Sequence, residues 1–333
     1  MRNFPKHILW LFLSFLLLCG FRWKWGKTKI TCITQNEKWI RCSIVALSED
    51  YILYRASHEH LGDEYLYLYD LKTRRTKRVL PQPVTHAGIR ADGDLAVIGK
   101  KENIYLCNLK TGKTQLLYSG GYAPDISGNK VIWRDKKTLK LCVYDLESRK
   151  METLKNVGRM FRISGNWLVW RVITGDLCVL NLSTKETEIL DLGPVHEIDI
   201  AGDILVVSSG PERHQDIWMY DLKKGKEVVV ANTPKNEYLP ATDGKKIVWV
   251  TPIDESEFEP LPWSKLTTYR LWQNIFLYDI KTKRTKRIVH NDFMITRVLV
   301  KGKRVVWTSG RIKRPQCAKE YNENPRDIYI YER

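Results

Sequence analysis

The chain has 333 residues, 55 Lys and Arg against 38 Asp and Glu, a formal net charge of +17, and 43% hydrophobic residues. That length allows a large core, and no linker or low-complexity run divides it, so the composition argues for one domain behind a leader and against a string of small modules. Among its 7 cysteines there is no C-x-x-C pair, which argues against a structural zinc site.

Residues 8–19 read ILWLFLSFLLLC and follow Arg2 and Lys6. This is the pattern of a signal-peptide apolar region or a short signal-anchor, expected as a leader helix. It falls short of the roughly 20 residues a comfortable span needs. Arg22, Lys24, Lys27 and Lys29 follow it, and by the positive-inside rule they weigh against an outward-facing anchor. Cys19 suits a lipoprotein reading, but Leu18 stands where a small residue belongs. Residues 1–27 are therefore expected to be a signal peptide or signal-anchor with a short basic linker, and the protein to be exported to the cell envelope or beyond, anchored if the leader is kept.

From residue 28 onward one phrase returns seven times: YLYLYDLKT, NIYLCNLKT, KLCVYDLES, DLCVLNLST, DIWMYDLKK, NIFLYDIKT and DIYIYER. Its closing residue falls at Asp70, Asn108, Asp145, Asn181, Asp221, Asp279 and Glu332, giving gaps of 38, 37, 36, 40, 58 and 53. A β-rich period near 40 marks a propeller blade. A second phrase precedes each first one, as in DGDLAVI, SGNKVIW and KGKRVVW. It is a turn, usually with glycine, running into a short apolar β-branched stretch. Each unit thus holds four strands, A to D in order. Strands B and C are apolar on both faces, as expected of sheets packed between neighbours. The acidic or amide residue closing strand C is expected to bond backbone N–H groups of the next turn. The last unit lacks a D strand, and residues 28–33 (TKITCI) lack a partner. They are expected to complete the seventh blade and remove an exposed edge. The fold class is an all-β, seven-bladed propeller over residues 28–333.

The alternation of S-G-N-K-V-I-W with N-I-Y-L-Y-D-L-K-T resembles the TolB-like β-propeller repeat of prokaryotic cell-surface proteins, over about residues 28–333. Where that family often has S-P-D-G, only Ala91-Asp92-Gly93 and Thr242-Asp243-Gly244 come close, and seven units differ from the six of TolB itself. The resemblance implies binding or scaffolding more often than catalysis, although some seven-bladed relatives are polysaccharide lyases.

A–B and C–D turns share one face of such a ring, and B–C and D–A connections share the other. Length variation gathers in the B–C loops at 55–64, 208–215, 251–273 and 308–326, so that top face is expected to display a binding surface. His58, His60, His86, His196, His214 and His290 fall in or beside top loops; no third ligand is fixed beside His58 and His60, so no metal is assigned. Aligning the units puts Tyr122, Arg159 and His196 at one rim position, with Tyr238 one residue out of register. These are candidate ligand-binding residues for an acidic or carbohydrate-like ligand. The 251–273 insertion carries Trp263 and Trp272, candidate anchors for a partner. Cys107, Cys142 and Cys178 read as buried small hydrophobes, and Cys32 with Cys317 as one possible disulfide of blade seven.

The C–D turns are basic: Lys72, Arg74, Arg75, Lys77, Arg78, Lys110, Lys113, Arg149, Lys150, Lys223, Lys224, Lys226, Lys281, Lys283, Arg284, Lys286 and Arg287. Such a field attracts polyanions or an anionic membrane surface; nucleic acid is not expected, since the repeat matches no nucleic-acid module. No catalytic set and no cofactor emerge. The expected function is a cell-envelope binding propeller presenting its top loops to a protein or glycan; the alternative is a lyase or hydrolase of an anionic saccharide at the channel mouth.

Overall fold

The computed structural model describes residues 29–34, 41–58, 62–155, 158, 160–172, 174–212, 214–253, 272–310 and 326–332. The leader, His60, Arg159, Trp263 and Cys317 lie outside the described residues. Among the described residues no helix is long and apolar enough to cross a membrane.

Strand β1 (Lys29–Cys32) precedes six complete sheets. Blade one holds β2 (Arg41–Leu47), β3 (Tyr51–Ser57), β4 (Tyr65–Asp70) and β5 (Thr76–Arg78); blade two β6 (Gly88–Asp92), β7 (Leu95–Lys100), β8 (Asn103–Asn108) and β9 (Thr114–Ser119). Blade three holds β10 (Gly121–Ser127), β11 (Lys130–Asp135), β12 (Leu141–Asp145) and β13 (Met151–Leu154); blade four β14 (Phe161–Ser164), β15 (Trp167–Arg171), β16 (Leu177–Asn181) and β17 (Thr187–Leu190). Blade five holds β18 (Val195–Ala201), β19 (Ile204–Ser209), β20 (Asp216–Asp221) and β21 (Lys226–Ala231); blade six β22 (Tyr238–Thr242), β23 (Lys246–Pro252), β24 (Trp272–Asp279) and β25 (Arg284–Phe293). The last sheet has the order β1-β28-β27-β26, from β26 (Arg297–Lys301), β27 (Arg304–Gly310) and β28 (Arg326–Glu332). The inner strands β2, β6, β10, β14, β18, β22 and β26 touch in succession, and β26 also packs on β2. The protein is a seven-bladed β-propeller.

Apolar residues on both faces of strands B and C fill the seams between blades. Val97, Ile104, Val131, Trp133 and Cys142 pack between blades two and three. Ile44, Ile52, Tyr54, Val306 and Ile330 do so between blades seven and one. Cys107, Cys142 and Cys178 are buried there as small hydrophobes. Burial pushes the Cys142 thiol up to about 11, so it stays protonated at neutral pH.

The chain ends meet in blade seven. β1 runs antiparallel to β28, with Lys29 opposite Glu332 and Cys32 opposite Tyr329. The buried Thr34 hydroxyl donates to Asp327 Oδ1 at 2.8 Å and accepts from the Ile328 N–H at 3.0 Å. Glu332 ends strand C beside the A–B turn, so the chain enters the ring from the face of the short turns.

Two turn motifs recur. At the end of strand C, Asp70 Oδ1 accepts from the N–H groups of Lys72 and Thr73 at 3.0 and 2.6 Å, and Asn108 Oδ1 from those of Lys110 and Thr111 at 3.0 and 3.0 Å. Asp145, Asn181, Asp221 and Asp279 act likewise. The backbone N–H of Thr73, Ser148 and Thr282 holds Asp70, Asp145 and Asp279 below the usual carboxylate range. The second motif links blades. Ser127 Oγ accepts from the Gly165 N–H at 2.9 Å, and Ser164 Oγ from the Gly202 N–H at 2.8 Å. Both glycines have φ near +57° and +59°, a conformation that disfavours other residues. Asp92 serves Gly128 and Asp243 serves Gly302 in the same way, at 2.7 and 2.8 Å.

Candidate ligand-binding channel

The seven inner strands enclose a cavity of about 790 Å³ along the ring axis. Its wall is set by strand A, whose alternate side chains face the next blade and the axis. Register places four residues at one level: Arg90 opposite Val97, Asp125 opposite Ile132, Arg162 opposite Val169 and Asp199 opposite Val206. Four successive blades therefore present plus, minus, plus, minus. The other wall of the cavity is apolar where Val45, Pro240 and Leu299 stand, and Arg297 joins from blade seven.

The acids and the arginines are held differently. Asp199 Oδ2 accepts from the Thr242 N–H of the next blade at 2.9 Å, and Asp125 Oδ2 from the Ile163 N–H at 3.4 Å. Glu197 Oε2 accepts from the Leu239 N–H in the same direction around the ring. These carboxylates staple neighbouring inner strands. Among the described residues Arg162 bonds only the Phe161 carbonyl, at 2.8 Å, and Arg297 only the Val45 carbonyl, at 3.2 Å. Arg90 bonds the Ile89 carbonyl at 3.4 Å and stands 3.9 Å from Asp125 Oδ1. A guanidinium carries five N–H donors, so most of theirs are unspent, and all three side chains line the cavity; 29% of the Arg90 side chain remains exposed.

The electrostatics reflect this crowding. Burial, then the cations of Arg90 and Arg162, push Arg297 down to about 9. Burial and then Arg162 lower Arg90 as well. Burial raises Asp199 despite its backbone bond and the neighbouring arginines, and raises Glu197. Enclosure without full charge compensation is the physical cause throughout.

The residues singled out by sequence separate. His196 lines the cavity, and its Nε2 lies 2.8 Å from the Gly210 carbonyl. Tyr122 is 41% exposed and stands outside the lining. Tyr238 packs against the apolar seam between blades six and seven, where burial and then Glu197 raise its hydroxyl. Bulges fall between Tyr122 and Asp125, Val195 and Glu197, and Tyr238 and Ala241; they leave Tyr122 and Tyr238 at equivalent positions, opposite Arg134 and Val250, and put Glu197 rather than His196 at the matching place opposite Ser208. Trp272 is half-buried at the start of β24, paired with Phe293, and is not among the lining residues. Among the described residues no group of three or more His, Cys, Asp and Glu could hold a metal. The charged layer itself was missed. Its signal is a charged residue flanked by apolar ones just before the A–B turn, in IRAD, FRIS and IDIA.

The short-turn face is basic as expected: Lys72, Arg74, Lys110, Arg149, Lys223, Lys224, Lys281 and Lys283 are all exposed. Four C–D turns place Arg74, Arg149, Lys185 and Lys283 at φ between 54° and 64°, where the other two turns have Gly112 and Gly225. A non-glycine residue there costs roughly 1 kcal/mol. Four basic side chains thus occupy positions that glycine fills more comfortably.

No family model and no curated protein matches the sequence. Solved structures do match the ring. Acylaminoacyl peptidase aligns with a TM-score of 0.64 at 13% identity, over 89% of this chain and 51% of that one. The β-propeller domain of the Trilobed protease from Pyrococcus furiosus gives 0.62 at 13% identity, over 88% and 95%. Oligogalacturonate lyase from Vibrio parahaemolyticus gives 0.59 at 11% identity, over 93% and 94%. This chain spans about half of the peptidase, and at these identities the likeness is one of fold.

Proposed function

We propose that this protein is a recognition propeller of the cell envelope that binds a protein or glycan partner on the face of the B–C connections. The observation that carries the reading is the contrast between faces. A–B turns are pared to residues 93–94, 128–129, 165–166 and 202–203, whereas B–C connections run over 253–271 and 311–325. Rigid blades bearing long loops on one side form a display surface. The TolB-like resemblance and the apolar leader support the envelope location. Lys29 lies at the basic face, so a retained leader brings that face toward an anionic bilayer and turns the loops away from it.

The test uses the full chain and a variant in which residues 254–271 are replaced by a short Gly-Ser link. Binding to purified envelope polysaccharide or to a crosslinked envelope protein is expected to drop in the variant while its thermal midpoint stays unchanged. Equal binding by both would contradict the reading. A second reading, an enzyme acting on an anionic saccharide at the channel mouth, is favoured by the arginines of the wall and by His196 in the same lining. Release of shortened saccharide from the same preparation, abolished by His196→Ala, would select it.

A further inference from the structure

We infer that the axial channel holds a hydroxylated monocarboxylate, of the sugar-acid class, gripped by Arg90, Arg162 and Arg297. The inference goes beyond the face-level reading, because it concerns the ring axis and stands even if the loops bind nothing.

Three observations carry it. The first is space: a cavity of about 790 Å³ lies within the usual range of about 300–1,000 Å³ for small-molecule sites. The second is unused donors. Each of the three guanidiniums spends one donor on a main-chain carbonyl, and neither Arg162 nor Arg297 has a carboxylate within 4.0 Å among the described residues. The acids beside them are engaged by backbone N–H groups of the next blade. The arginines link the blades far less, since Arg90 and Arg162 bond carbonyls of their own strands. An arginine cluster lining a cavity, with most of its donors unspent, suits a planar carboxylate.

The third is charge and shape. Three guanidiniums, Arg90, Arg162 and Arg297, share the cavity with three carboxylates, Asp125, Asp199 and Glu197, so the wall is balanced when all are ionised. Into such a wall a monocarboxylate brings less excess charge than a phosphate dianion. Asp125, Asp199 and Glu197 offer acceptor oxygens to hydroxyl groups, and Val45, Pro240 and Leu299 offer an apolar surface to the C–H face of a ring. One carboxylate, several hydroxyls and an apolar face describe a sugar acid.

The test titrates the full-length protein with D-glucuronate, D-glucuronamide, D-glucose and inorganic phosphate by calorimetry and by thermal shift. Glucuronate is expected to bind and raise the midpoint. The amide, of the same shape without the charge, is expected to bind at least about tenfold more weakly, as for loss of a charge-assisted pair. Arg162→Gln is expected to lose at least about tenfold in glucuronate affinity while melting cooperatively. Should that variant fail to fold, the amide comparison on the native protein decides alone. Equal binding of glucuronate and its amide, no midpoint shift by either at tens of millimolar, or tighter binding of phosphate than of glucuronate would overturn the assignment. Failure here with an intact effect of replacing 254–271 would leave the face-level reading standing.

Discussion

The seams between blades and the wall of the channel are built from the same strands by opposite rules. A seam takes the side chains of strands B and C and closes them away from water; Trp133 is 1% exposed against Ile104, Tyr118 and Tyr144. The wall takes the inner strand and fills one level with alternating charges on blades two to five. Seams repeat in kind around the ring, whereas the wall is charged at that level over blades two to five, carries Arg297 on blade seven and is apolar at Val45, Pro240 and Leu299. Repetition follows from packing, which every blade must satisfy, and departure from repetition marks what packing does not require.

That contrast can be broken at its strongest point first. Trp133→Ala should destabilise the fold by about 3–5 kcal/mol, the usual cost of emptying a large buried site; chemical denaturation measures it. Thr34→Val should cost about 1–3 kcal/mol, since it leaves Asp327 and the Ile328 N–H without that hydroxyl across the joined chain ends.

Asp135 offers a milder test by pH. Hydrogen bonds from Thr138 and then Tyr118 lower it from 3.8 to about 2. Its folded value is below its unfolded one, so its contribution is present above about pH 4 and is lost as pH falls toward 2. Asp135→Asn should therefore flatten the acid limb of the stability curve; an unchanged limb would assign the acid sensitivity elsewhere. At the small end, Lys283→Gly should gain up to about 1 kcal/mol by relieving a positive φ. The same change should weaken adhesion to anionic vesicles if the strained lysine is there for its charge.

Blade number and strand order were legible because an apolar phrase closed by Asp, Asn or Glu recurs in every unit, after a turn that usually holds glycine. The roles of Asp70, Asn108 and their counterparts were legible too, because an Asx turn is a local event. The rim was not. Bulges in β10, β18 and β22 shift the strand-A register, so that Glu197 rather than His196 matches Tyr122 and Tyr238, and a bulge leaves no mark in an alignment counted from the turn. Nor was the charged layer seen. Arg90, Asp125, Arg162 and Asp199 lie in short strands of four to seven residues, two of them broken by a bulge, and the charges oppose one another only once the blades stand around an axis.

The most direct test of the channel as a site built for something other than stability is the thermal midpoint of Arg297→Gln without any ligand. Arg297 is enclosed, bonds one carbonyl and is repelled by the guanidiniums of Arg90, Arg162 and Arg55 against the attraction of Asp199, so removing its charge should leave the midpoint unchanged or raise it by a few degrees. A fall of several degrees would show that the guanidinium holds the ring together, and would contradict the distinction between wall and seam.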